Sequence, residues 1–91
     1  MHHAVKLSVP VKVLRKLPKN VVVKLHLWIK LVGDHGLENV RKIPGYHDEP
    51  LSGARAGQRS VRLSRSYRAF YRFVQGEIEL VDVFEVNKHE Y

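Results

Sequence analysis

The sequence predicts an α+β fold in which two N-terminal helices pack on one face of a small, mainly antiparallel twisted sheet. Two observations carry this expectation. Apolar residues recur at helical spacing in the first third of the chain and at strand spacing from Leu51 onwards. Breakers at Pro10, Pro18, Gly33, Gly36 and Pro44-Gly45 divide the first half, and Gln75-Gly76 divides the second. Helices followed by a run of hairpin-connected strands place the helices together on one side of the sheet. At 91 residues the chain is long enough for one core, so 1–91 is expected to be a single domain.

The elements follow in order. Residues 4–8 read as a short first strand, and 11–17 as a short amphipathic helix that ends at Pro18. Segment 19–32 fits two periods, because 21, 23, 25, 27, 29 and 31 also alternate. We read it as a helix: 21, 22, 25, 28, 29 and 32 form one stripe, Pro18 suits a first turn, and Gly33 and Gly36 supply a stop. Residues 37–43 add a helical turn, and Pro44 to Pro50 is a loop. Strands are expected around 51–55, 59–64, 67–74 and 77–86, with Gln75-Gly76 as a two-residue hairpin turn.

Composition narrows the function classes. Hydrophobic residues at 44% and charged residues at 27% are ordinary for a globular chain, which argues against disorder and against a membrane partner. The absence of cysteine excludes disulfides, thiolate catalysis and a cysteine zinc site, and makes the cytoplasm the default compartment. No secretion signal is read at the start, and His2 and His3 are given no role. His26 and His35 lack a second histidine at ligand spacing, so neither a metal nor a small-molecule cofactor is expected.

The net charge of +7 favours a polyanionic partner, and its distribution is uneven. Segment 41–72 carries eight cations, seven of them arginine, against Asp48 and Glu49. Arginine's planar fork suits phosphate, so Lys42, Arg55, Arg59 and Arg65 are candidate RNA-binding residues beside Arg62 and Arg68.

Strand alternation then sorts the faces. With Gln75-Gly76 as the turn, Val74 opposes Glu77, Phe73 opposes Ile78, Tyr71 opposes Leu80 and Tyr67 opposes Phe84. On the other face Arg72 opposes Glu79 and Arg68 opposes Val83. A return through Ser64-Arg65-Ser66 sets Arg62 directly against Arg68, a repulsive pair unless water or an anion lies between them. The same alternation carries Asn87, His89 and Tyr91 onto that face if no bulge intervenes. It also sends Asp82 to the core opposite Ala69, where an unpaired carboxylate is costly.

The order of these residues resembles the RelE/YoeB/HigB group within the RelE/ParE superfamily of bacterial toxins. The resemblance spans most of the chain. It rests on Tyr46-His47-Asp48-Glu49-Pro50-Leu51-Ser52-Gly53, Arg59-Ser60-Val61-Arg62-Leu63, Ser66-Tyr67-Arg68-Ala69-Phe70-Tyr71 and the closing Val86-Asn87-Lys88-His89-Glu90-Tyr91. It implies a RelE-like domain acting as the toxin of a type II toxin–antitoxin system. Such a toxin is a metal-independent endoribonuclease that cuts mRNA on the ribosome, inhibits translation and is silenced by a cognate antitoxin protein.

In members similar to YoeB a glutamate of a Glu-Pro-Leu loop is the general base, which carries over to Glu49. A strand arginine that stabilises phosphate carries over to Arg68, a second basic position to Arg62, and the C-terminal pair to His89 and Tyr91. Here Glu90 separates that pair, whereas the group has them adjacent, so which of the two is the acid stays open, and His47 is a further base candidate. The residue types suit the chemistry, since attack by a ribose 2′-OH needs a base, cations at the phosphate and an acid for the departing 5′-oxygen. Tyr46, Tyr67 and Tyr71 can stack bases, although the strand tyrosines are expected in the core. Two other functions remain open: inhibition of DNA gyrase by the ParE-like branch, and RNA binding without chemistry. The antitoxin is expected to dock on the basic face.

Overall fold

The computed structural model describes residues 4–74 and 80–88. The chain begins with a strand, β1 (Ala4–Leu7), before any helix, followed by α1 (Val11–Leu14), α2 (Lys19–His35) and α3 (Leu37–Val40). Strands β2 (Glu49–Pro50), β3 (Arg59–Arg62), β4 (Tyr67–Phe73) and β5 (Leu80–Lys88) complete the order. They form one five-stranded sheet, β1-β5-β4-β3-β2, antiparallel except where β1 runs parallel to β5.

Helix α2 buries Val21, Leu25, Trp28 and Val32, the centre of the stripe seen in the sequence, and the helical period prevails over the alternating one. It runs through Gly33 and ends at Gly36, whose φ of 81° lies in the region an L side chain rarely adopts. Lys30 pairs with Asp34 at 2.8 Å across the last turn, the i,i+4 spacing that supports a helix. Helix α1 is shorter than expected. After Leu14 the chain tightens into i→i+3 bonds, with Lys16 N–H donating to Val13 and Leu17 N–H to Leu14, before Pro18 stops it.

The helical layer covers a single face of the sheet. Val61, Ala69, Tyr71, Val81, Val83 and Val86 meet Val21, Leu25, Trp28, Val32, Leu37 and Val40 there, and all are buried. The Trp28 and Tyr71 rings lie 5.2 Å apart at 44°, a tilted aromatic contact at the centre of the core.

Three expectations are corrected. The strand expected around 51–55 is displaced to Glu49–Pro50, and Gly53–Arg55 forms a 3-10 turn instead. Positive φ at Gly53 and Gly57 bends the chain out of the extended path. Strand β3 stops at Arg62, because Leu63 and Ser64 N–H groups both turn to the Tyr67 carbonyl.

The third correction is the β4–β5 register. Phe73 faces Val81, Arg72 faces Asp82 and Tyr71 faces Val83, three residues along from the pairing a two-residue turn imposes. Gln75-Gly76 and Glu77 to Glu79 lie outside the described residues. The shift sends Val81 and Val83 into the core. It moves Asp82 to the other face, where the carboxylate accepts bonds from Ser8 Oγ at 2.6 Å and Arg72 Nη2 at 3.4 Å. A bulge then intervenes: Phe70 pairs with Glu85 and Tyr71 with Val83, so Phe84 has no cross-strand partner. Beyond it Val86 returns to the core side and Asn87 stands opposite Arg68.

Replacing fully buried Leu25 by alanine is expected to lower the unfolding free energy by about 2–5 kcal/mol. Leu27→Ala, on the outer side of α2, should change it by less than about 0.5 kcal/mol. Urea midpoints of the two variants measure the contrast.

Candidate functional site

Among the described residues no helix packs on the second face of the sheet. Cross-strand pairing lays its side chains out in rows. Glu49 is beside Ser60, Ser60 beside Phe70 and Phe70 beside Glu85; one step along, Arg62 is beside Arg68 and Arg68 beside Asn87. Arg68 is the node between the rows: its Nη1 donates to Glu49 Oε1 at 3.0 Å and to Ser60 Oγ at 3.1 Å. Its side chain is 15% exposed whereas that of Glu49 is 56% exposed, so a largely covered cation presents an open carboxylate. Among the described residues no carboxylate pairs with Arg62, which is half-buried. With Arg62 directly opposite Arg68 in the register and Glu49 paired to Arg68 alone, the two arginines keep an excess of positive charge, which an anion would relieve.

Beside this node, Arg55 reaches over the sheet from the 3-10 turn. Its guanidinium lies 4.2 Å from the Phe70 ring centre and forks onto Glu85, at 2.8 Å from Nη2 to Oε1 and 3.5 Å from Nη1 to Oε2. Its Nε donates to Gln58 Oε1 at 2.9 Å. Asn87 Nδ2 also donates to Glu85. Arg72 lies 4.4 Å over the Phe84 ring that the bulge releases.

Glu49 is held from below. The preceding residue, Asp48, points to the helical side, and its carboxylate has no solvent exposure. It accepts a bond from Arg59 Nε at 2.6 Å and one from the Tyr71 hydroxyl at 2.5 Å. Burial, together with this bond to a carboxylate, pushes the Tyr71 hydroxyl well above the usual phenol range. His47 stands just before, in the left-handed region at φ 45°, which turns the loop so that Asp48 enters the core and Glu49 joins the sheet edge.

The sequence-predicted residues therefore divide. The structure brings Glu49, Arg62, Arg68 and Arg55 together on the open face. Arg59 is on the opposite side, engaged with Asp48. Arg65 is exposed in the β3–β4 turn, and Lys42 is exposed in the turn after α3. His89 and Tyr91 lie outside the described residues. Tyr46 and Tyr71 are buried, and Tyr46 packs beneath Lys24 Nζ at 4.8 Å, away from the open face. Sequence reasoning missed Asp48, Ser60, Phe70 and Glu85 as parts of the site. Neighbouring Asp48 and Glu49 were the available signal, because adjacent residues entering a strand face opposite ways.

Among the described residues no group of three or more His, Cys, Asp or Glu side chains is placed to hold a metal ion. No helix there is long and apolar enough to cross a membrane.

No family model matches the chain, and no curated protein matches it by sequence. Solved structures do match. YafQ from E. coli strain BL21(DE3) superimposes with a TM-score of 0.67 at 18% identity, covering 91% of each chain. A chain of the RelBE2 toxin–antitoxin complex from Mycobacterium tuberculosis gives 0.67 at 24% identity, over 98% of this chain and 100% of that one. One from the YoeB–YefM complex of Staphylococcus aureus gives 0.66 at 18% identity over the full length of both. The chain has the fold of these YafQ, RelBE2 and YoeB–YefM chains. In this RelE-like frame the open face with Arg68 at its node is the face left free of helices, and Asp48 marks where the loop enters the sheet.

Tyr71→Phe is expected to destabilise the fold by about 1–3 kcal/mol near neutral pH, since buried Asp48 loses a donor. The pH dependence has a definite sign. The unfolded chain releases the phenol proton near 10.0 while the folded protein retains it, so stability is full below that value and falls as pH rises above it. The difference between wild type and Tyr71→Phe in denaturant unfolding should therefore narrow above about pH 10.

Proposed function

We propose that the open face cleaves RNA, and that the chain is the toxin of a type II toxin–antitoxin pair, a metal-independent endoribonuclease cutting mRNA on the ribosome in the cytoplasm. The observation that carries the reading is Arg68, fixed by Ser60 and Glu49 and directly opposite Arg62. A backbone phosphate between the two guanidinium groups meets forked donors from both strands. Glu49, more than half exposed at the sheet edge, takes the proton of the ribose 2′-OH. The 2′-oxygen bonds to phosphorus, the bond to the 5′-oxygen breaks, and the charge gathering on the phosphate rests on Arg62 and Arg68. The leaving oxygen receives its proton from His89 or Tyr91, two residues supported by the sequence resemblance alone. Lys42 and Arg65, both exposed, add long-range attraction for the RNA.

The partner is a cognate antitoxin. Chains of the same fold are crystallised as RelBE2, DinJ–YafQ and YoeB–YefM complexes. An acidic segment of the antitoxin docked on the open face would neutralise Arg62 and Arg68 and cover Glu49 in one step.

Purified protein added to programmed, translating ribosomes is expected to cut the mRNA in the decoding site, and Arg68→Ala to lower the single-turnover rate by about 10²–10³-fold. Glu49→Gln should bind the complex and fail to cut. Intact mRNA with the wild-type protein would overturn the reading. A DNA-damage response on expression would then favour gyrase inhibition, and RNA affinity unchanged in Arg68→Ala would favour binding without chemistry.

A further inference from the structure

Arg55 entered as one of several candidate phosphate binders, and its geometry gives it a different use. A guanidinium group binds phosphate with the N–H bonds at its edge. In Arg55 three of the five N–H bonds at that edge are engaged: Nε bonds to Gln58, and one N–H of each terminal nitrogen is directed at the Glu85 carboxylate. Glu85 is itself steadied by Asn87 Nδ2 and by its place beside Phe70 in the sheet. One flat side of the group rests on the Phe70 ring at 4.2 Å. The side chain is nevertheless 39% exposed, and Phe70 beneath it is only half-buried. The side of the group turned away from Phe70 has no partner among the described residues, while Gln58, Glu85 and the ring hold the group in place.

We infer that the Arg55–Phe70 pair is a stacking platform for one nucleobase of a single-stranded RNA, beside the phosphate position between Arg62 and Arg68. The inference rests on the open face being an RNA site, and it names how that site takes a base. Unpaired bases stack on aromatic rings and on guanidinium planes alike, and every base has such a face, so the platform selects single-stranded RNA over duplex without strict choice of base. Ser60, which pairs with Phe70 across the strands, donates no in-plane partner to Arg55 and is instead bound to Arg68. The base platform and the phosphate node are therefore adjacent but separately braced. Glu85 keeps the Arg55 edge away from the RNA backbone, which separates this residue from a simple countercharge.

Two substitutions separate plane from charge. Arg55→Lys keeps the charge and its attraction to Glu85 while losing the plane. Phe70→Leu keeps the apolar bulk and loses the ring. Thermal melts identify folded variants before use. The probe is a programmed ribosome whose mRNA carries one abasic ribonucleotide at each decoding-site position in turn. The same RNAs, free and fluorescently labelled, serve for equilibrium binding.

The expected result is a loss of about fivefold to a hundredfold in kcat/KM for Arg55→Lys and a smaller loss for Phe70→Leu, the range of one base stack. One abasic position should cause a similar loss in the wild type and no further loss in Arg55→Lys. The salt dependence of binding should be unchanged in Arg55→Lys, because no phosphate contact is removed. Cleavage by Arg55→Lys at the wild-type level overturns the inference. So does an abasic loss at every position that simply multiplies the loss from Arg55→Lys. Absence of cleavage by the wild type overturns the nuclease reading alone, and the binding series then decides the platform on the same two criteria. No binding of any RNA overturns both.

Discussion

A carboxylate with no exposure to solvent must be bonded on both oxygens or be protonated, and Asp48 meets that demand through Arg59 on one oxygen and Tyr71 on the other. Much of the site depends on this bond pair. Tyr71 belongs to the central strand β4 and touches Trp28 of α2, so Asp48 ties the 47–51 loop to the rigid centre of the core. The loop has little other regular structure, since β2 is only Glu49–Pro50. With Asp48 drawn inward, Glu49 is carried outward to Arg68, and a loop residue gains the placement precision of a strand residue.

The arginines that looked alike in sequence have separate tasks. Arg59 serves the interior, Arg72 compensates Asp82, Arg55 lies over Phe70, and Arg62 and Arg68 stand opposite one another on adjacent strands. A basic segment read only by its net charge gives five equivalent phosphate contacts. Read by partners, four of the five are braced by carboxylates, and Arg62, directly opposite Arg68, is paired with none among the described residues.

How much of this was legible depends on the distance over which a pattern acts. Period and breakers are local, and they located α2, β3 and β4 within a few residues; Arg62 opposite Arg68 followed from a short connection between adjacent strands. Register across the β4–β5 connection is not local, and the two-residue turn misplaced it by three residues. The energetic warning was already present in Asp82, whose core placement was too costly, and the observed register removes that cost. Asn87 nevertheless reached the expected face, because an odd shift and a one-residue bulge each invert the alternation and together restore it. Arg59 and Asp48 were not legible in the same way. Their pairing joins a loop to a strand, and no period connects them.

The sheet edge that carries Glu49 ends in a proline. Pro50 has no N–H to offer, and only two residues of β2 are paired, so an incoming extended peptide finds almost no backbone ladder to continue. An accessible edge of this kind tolerates traffic. The carboxylate can stand more than half exposed at the rim without that rim becoming a seed for strand-to-strand aggregation.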